Sequence, residues 1–202
     1  MNQKEGQAQI KLVVVGDGSV GKTCVLLSYT ADNFLTEYVP TVFENYTKTL
    51  NIDGKEVDLS LWDTAGQETF TSLRTLAYEN TDIFLIIYSV IDESSYENAK
   101  EKWYLELNEG KLKKVPKIFV GNKIDIRNTL NQNHIQFEKA QQELKNYNAL
   151  HKECSALTKE GLEDLFQEAA RQGFKYYQQQ QLFASAKDQP ISGNERSCCQ
   201  TF

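Results

Sequence analysis

No apolar run in this chain approaches the roughly 20 residues that a membrane-spanning helix needs. The first seven residues, Met1-Asn2-Gln3-Lys4-Glu5-Gly6-Gln7, have no apolar core, so no secretory signal is expected. Cysteine is scarce, at four residues. Without an export signal, a disulfide framework is not expected in a chain of this size. The cysteines also lack paired spacing with His134 or His151, which argues against a zinc site. There is no excess of basic residues: the formal net charge is −6. A non-specific nucleic-acid binder would carry a basic face, so no nucleic-acid partner is expected. Internal repeats are absent. At 202 residues the chain is long enough for one well-buried domain and a tail.

What is present begins with Gly16-Asp17-Gly18-Ser19-Val20-Gly21-Lys22-Thr23. The pattern is Gly, four residues, Gly-Lys-Thr, the phosphate-binding loop. It lies between an apolar run ending at Val15 and a helix-like run from Cys24, which is the strand-to-helix context the motif requires. Glycines let the backbone turn successive N–H groups toward one point, and the helix N-terminus adds partial positive charge there. Lys22 can reach β- and γ-phosphates, and the Thr23 hydroxyl can ligate a Mg²⁺ held between them.

Along the chain, Thr47 to Ile52 and Glu56 to Trp62 read as two strands joined at Asp53-Gly54, a strong hairpin signal. The segment before Pro40 reads as an exposed loop. Ile83 to Val90 is continuously apolar, as in a central parallel strand. Ser94 to Leu107 reads as a helix capped by Ser94 or Ser95. Lys117 to Gly121 is the next strand. Residues 135–146 read as a helix, followed by an edge strand ending near Glu153. A last helix begins after Gly161 and is expected to fray through Gln178 to Gln181. Strands alternating with helices indicate a mostly parallel sheet covered on both faces. The expected division is a flexible stretch at 1–8, a domain at 9–180 and a disordered tail at 181–202.

The remaining motifs follow strand ends, the edge where doubly wound sheets bind ligands. Asp63 is a candidate for Mg²⁺ through water, Gly66 can offer an N–H to a γ-phosphate, and Gln67 can orient an attacking water. In Asn122-Lys123-Ile124-Asp125, a carboxylate can accept two hydrogen bonds from guanine that adenine does not offer, so Asp125 would read the base. Asn122 would tie this loop to the phosphate loop, and the stem of Lys123 could cover one face of the base. Ser155-Ala156 could place a backbone N–H against the guanine carbonyl.

In this order, the motifs resemble those of small GTPases of the Ras superfamily, and within it the Rho/Rac branch. The resemblance covers residues 9–180 and the last four. The branch-like features are Gly16-Asp17-Gly18, Tyr38-Val39-Pro40-Thr41-Val42-Phe43-Glu44-Asn45-Tyr46, Leu61-Trp62-Asp63-Thr64-Ala65-Gly66-Gln67-Glu68 and Glu153-Cys154-Ser155-Ala156-Leu157-Thr158. The resemblance implies an α/β P-loop G domain: a six-stranded, mostly parallel sheet with one antiparallel edge hairpin and helices on both faces. It implies a guanine-nucleotide switch that binds GTP or GDP with Mg²⁺ and hydrolyses GTP, signalling to the actin cytoskeleton. Gln67 and Lys22 would be catalytic. Gly18, Ser19, Val20, Gly21, Lys22, Thr23, Cys24, Phe34, Tyr38, Thr41, Gly66, Asn122, Lys123, Asp125, Ser155, Ala156 and Leu157 would hold the nucleotide. Thr23 and Thr41 would ligate the metal, with Asp63 acting through water. Trp62 would either face exchange factors or fill the core. The implied partners are exchange factors, GTPase-activating proteins, effectors reading residues 34–46 and 63–80, and a carrier for a prenylated form. A GTP-holding module with negligible hydrolysis and a P-loop small-molecule kinase are the competing classes.

Two departures from that branch stand out. Arg127 to Asn133 leaves room for little more than a turn where the branch carries an extra helix. The tail also lacks a lysine cluster, since Lys187 and Arg196 are offset by Asp188 and Glu195. The chain ends Cys198-Cys199-Gln200-Thr201-Phe202, a prenylation box in which a terminal Phe favours geranylgeranyl on Cys199. Cytoplasmic protein, peripheral on the inner face of the plasma membrane, is the expected location.

Overall fold

In the computed structural model, residues 7–31, 43–64 and 71–187 are described. Six strands form one sheet in the order β2-β3-β1-β4-β5-β6. They are β1 (Ala8–Val15), β2 (Phe43–Ile52), β3 (Lys55–Thr64), β4 (Ile83–Ser89), β5 (Lys117–Asn122) and β6 (Leu150–Glu153). Only β2 runs antiparallel, against β3; the other pairs are parallel. The expected α/β P-loop architecture is therefore the observed one. The hairpin turns on Asp53 (φ 51°) and Gly54 (φ 81°). Two successive positive φ values match the right-handed strand twist, which is why Asp-Gly signals a hairpin here.

The sheet is buried on both faces because its central strands carry apolar runs, Leu12 to Val15 in β1 and Ile83 to Tyr88 in β4. Leu12 and Val14 of β1 face a core that includes Val25, Leu26 and Tyr29 of α1 (Lys22–Thr30) and Leu165, Phe166 and Ala169 of α6 (Leu162–Lys187). Val13 and Val15 face a second core with Tyr96, Trp103, Tyr104 and Leu107, and with Ala140 and Leu144 of α5 (Phe137–Leu144). A short helix, α2 (Thr71–Ala77), carries no periodic signal in the sequence and was not expected.

Three details differ from expectation. First, the helix after β4 is capped by Asp92 rather than by Ser94 or Ser95; its carboxylate accepts from the N–H groups of both serines, at 3.1 and 3.3 Å. The Ser95 hydroxyl instead accepts from the Ser89 N–H at 3.0 Å. Second, that helix is not uniform: α3 (Glu93–Asn98) passes through a π turn (Ala99–Trp103) into α4 (Tyr104–Leu107). Third, α6 does not fray at its glutamines but continues to Lys187, seven residues past the expected domain edge. Glutamine is a good helix former and no Gly or Pro interrupts the run, so propensity carries the helix beyond its packed half. Between Arg127 and Asn133 the chain makes turns only, joined by Asn131 N–H to Asn128 O at 3.1 Å. No helix among the described residues is long and apolar enough to cross a membrane.

Candidate functional site

The phosphate loop joins β1 to α1 along a path that its glycines permit. Gly16 has φ 144°, and a Cβ there would sit 2.2 Å from the Ile87 carbonyl oxygen of β4. Gly21 has φ 95°, and a Cβ there would meet Asn122 Nδ2 at 2.6 Å. At Gly18, nothing among the described residues lies within 4 Å of such a Cβ. Ser19 also adopts positive φ, 62°. Gly21 gives α1 no side-chain cap, and the first turn contains no acidic residue. The positive dipole end of α1 therefore faces the loop with no acidic residue in its first turn, an arrangement suited to an anion.

Lys22 is only 6% exposed. Its ammonium donates to the carbonyls of Gly16 (3.0 Å) and Asp17 (2.7 Å), which bends the loop around it. Burial lowers its pKa to about 8, against the opposing pull of the Asp63 and Asp17 carboxylates. A buried ammonium short of counter-charge gains by meeting an anionic ligand.

Asp63 lies beside this lysine because β3 pairs with β1 in the register Val14↔Asp63. The Thr23 hydroxyl donates to Asp63 Oδ2 at 2.5 Å, while Oδ1 is buried and has no hydrogen-bond partner among the described residues. Burial raises the carboxyl pKa, and the Thr23 hydrogen bond and Lys22 charge oppose that rise. A hydroxyl and an orphaned carboxylate oxygen form a hard-oxygen pair suited to Mg²⁺. The residues present therefore fit that ion.

The second half of the site comes from the loops after β5 and β6. Asn122 is 1% exposed and ties three segments together. Its Nδ2 donates to Val20 O in the phosphate loop at 2.9 Å, and its Oδ1 accepts from Ala156 N–H at 3.1 Å. Cys154 Sγ also contacts Oδ1, at 3.7 Å. Lys123, at φ 69°, sends its ammonium to Ser19 O at 2.8 Å. Asp125 is exposed, and one of its oxygens is fixed by the buried Ser155 hydroxyl at 2.5 Å. That hydroxyl in turn accepts from Thr158 N–H at 3.0 Å. Ser28 of α1 donates to Ala156 O at 2.7 Å, locking the last loop to the first helix.

The backbone donors expected at Ser155-Ala156 are already engaged. Ser155 N–H bonds Glu160 O at 2.9 Å, and Ala156 N–H bonds Asn122. Through these bonds the loop closes on itself to brace Asn122 and Asp125. Cys24 is half-buried, with its thiol pKa pushed up by burial, and Leu157 is exposed at the rim.

Phe34, Tyr38, Thr41, Gly66, Gln67 and Cys199 lie outside the described residues. Trp62 is half-buried; its indole N–H donates to Ser60 Oγ at 2.9 Å and Lys11 Nζ lies 3.8 Å from the ring centroid. Sequence reasoning missed Asp17. Its two carboxylate oxygens accept from Asn98 Nδ2 and Trp103 Nε1, each at 2.7 Å. No local pattern links residues 81 and 86 positions apart, so only the fold reveals the contact.

A comparison with known protein families matches residues 11–175 of the chain to the Ras family.

Proposed function

Because the chain belongs to the Ras family, whose members are GTP-binding switch GTPases, we propose that it binds guanine nucleotide across the described loops and hydrolyses GTP with Gln67. The observation that carries this reading is Asn122, one side chain bonded to both the phosphate loop and the last loop. It makes the two halves of the site one rigid unit, as binding of a nucleotide by both ends requires. The phosphates would lie on the N–H groups of residues 18–24, with Lys22 exchanging a carbonyl partner for phosphate oxygen. Asp125, held by Ser155, would accept from the guanine ring, and Lys123 would cover the base beside Phe34. Thr23 and Thr41 would hold Mg²⁺ with Asp63 behind its water. That ion would supply neutralisation of charge on the β- and γ-oxygens. Tyr38 and Gly66 would close on the phosphates. Loss of the γ-phosphate would release Thr41 and the segment after Gly66, which is the switch.

The finer placement in the Rho/Rac branch, with signalling to the actin cytoskeleton, is supported by Tyr38 to Tyr46, Leu61 to Glu68 and Glu153 to Thr158. Exchange factors, GTPase-activating proteins and effectors are the partners of such a switch. Contacts made elsewhere in that branch through the extra helix have no counterpart at Arg127 to Asn133. Cys199 would carry a geranylgeranyl chain that places the protein on the inner face of the plasma membrane and creates a need for a carrier. With no lysine cluster in the tail, vesicle binding should depend weakly on salt and on anionic lipid. Steep loss with salt would point to a basic surface on the domain, and membrane retention of Cys199→Ser would refute the anchor.

Nucleotide content of the purified protein, followed by single-turnover GTP hydrolysis, tests the whole proposal. Bound GDP and measurable hydrolysis support it; bound ATP refutes it. Guanine nucleotide held without turnover would indicate a binding module.

A further inference from the structure

Asp17 raises a physical difficulty: it places a carboxylate inside a loop whose other features attract anions. Left free, it would repel a phosphate. The fold disposes of that charge. Asn98 and Trp103 each donate to one of its two oxygens, at 2.7 Å each. Residues five apart do not share a face of an ordinary α-helix, where they diverge by roughly 140°. Here the π turn intervenes, with Tyr104 N–H bonded to Ala99 O. Its i→i+5 spacing stacks Trp103 beneath Asn98, so both donors reach one carboxylate.

Trp103 is 1% exposed, and its other contacts lead away from the loop. The Arg74 guanidinium of α2 lies 4.7 Å from the ring centroid. Arg74 is itself fixed by Glu106 at 3.1–3.2 Å, by Tyr78 OH at 3.1 Å, and by the bond from Tyr78 OH to Glu106 at 2.7 Å. A cation over an indole face draws electron density from the ring and makes its N–H a better donor. The strength of the Trp103–Asp17 bond therefore depends on where α2 holds Arg74.

We propose that Trp103 is a positioning residue that couples α2 to the phosphate loop, holding Asp17 away from bound phosphate when Arg74 is stacked upon it. This rests on the nucleotide-binding role given above. In that role α2 begins at Thr71, shortly after Gln67 in the chain, so a change at the γ-phosphate would be passed to Arg74. It would reach the loop through the indole.

The test is release of a fluorescent GDP analogue from wild type, Trp103→Phe, Asp17→Ala and the double variant. Trp103→Phe keeps an aromatic ring and removes the N–H. Release should quicken at least about tenfold, or about 1.4 kcal/mol. Asp17→Ala removes the repelling charge and should leave release unchanged or slower, and the double variant should match Asp17→Ala. An unchanged rate in Trp103→Phe, or a double variant as fast as Trp103→Phe, overturns the proposal. Should Trp103→Phe fail to fold by circular dichroism, Asn98→Ala tests the same carboxylate and should quicken release in the same direction. In a Trp62→Phe background Trp103 is the sole tryptophan. Its emission should shift when GDP is replaced by a non-hydrolysable GTP analogue, and Arg74→Gln should abolish the shift. Unchanged emission overturns the link to α2. A wild-type protein that binds no guanine nucleotide would refute the proposed function itself, a result separate from either outcome.

Discussion

Replacement of Asn122 by Ala tests the unit on which the site depends. The side chain is 1% exposed, donates to Val20 O at 2.9 Å and accepts from Ala156 N–H at 3.1 Å. Its removal leaves a buried carbonyl on one loop and a buried N–H on another. Each unsatisfied group costs about 1–3 kcal/mol. Water can enter the small polar void and recover part of that loss. The net cost should therefore sit near the low end for two groups, roughly 2–3 kcal/mol. If that loss falls on the joining of the loops, GDP release should accelerate roughly 30- to 150-fold at about 1.4 kcal/mol per decade. Asn122→Asp supplies the contrast. It keeps the acceptor for Ala156 but sets a negative oxygen against the Val20 carbonyl, so its release should be at least as fast as that of Asn122→Ala. Stopped-flow release of a fluorescent GDP analogue measures the kinetic effect, and urea unfolding measures the share that appears as stability. Wild-type release and an unchanged unfolding midpoint in Asn122→Ala would refute the bridging role.

Asp125→Asn should weaken GTP binding far more than xanthine-nucleotide binding, because an amide donates where the carboxylate accepts. Sites that lose a buried partner discriminate by up to ~10⁴–10⁵, and equal losses in a competition assay would show that Asp125 does not read the base. Gln67→Leu should leave GTP affinity intact and remove most of the stimulation by an activating protein, a benefit on the order of 10³–10⁵-fold in the Ras-type template itself; unchanged stimulated turnover would refute the water-orienting role. Gly16→Ala should fail to bind nucleotide or should unfold at lower urea, since its Cβ would sit 2.2 Å from the rigid Ile87 carbonyl; wild-type binding and midpoint would contradict the loop geometry. Burial and the nearby Arg127 charge lower the His151 pKa to about 4 from 6.5. The unfolded chain then binds the extra proton between those values, so this group's penalty appears as pH falls from 6.5 toward 4 and is absent above 6.5. His151→Gln should flatten that part of the urea-midpoint profile, and an unchanged slope would count against it.

Much of the site was legible because its chemistry is written in contiguous residues. Gly16 to Thr23 and Asn122 to Asp125 each combine a backbone requirement with side chains that act at that same place. Spacing along the chain then equals spacing in the loop. The hairpin at Asp53-Gly54 and the buried strand at Ile83 were legible for the same reason. Turn conformation and apolar runs are local properties. Helix α2 was not legible, because seven residues beside a functional segment show no amphipathic period. The cap at Asp92 was missed because three residues within four positions, Asp92, Ser94 and Ser95, could all cap, and only the folded bonds decide: Asp92 accepts from both serine N–H groups while the Ser95 hydroxyl turns to Ser89.

The sequence by itself determined the class of fold and the glycine-rich loop between β1 and α1, and it supplied the residues proposed to meet a nucleotide. Each follows from what a residue type can do within a few positions of its neighbours. The tertiary structure alone decided how those groups are braced. Strand register sets Asp63 against Thr23, sheet order brings Asn122 to Val20, and a π turn brings Trp103 to Asp17. These contacts join residues 40 to 102 positions apart. Their energies depend on burial and distance, which emerge only once the two layers of core have closed around the sheet.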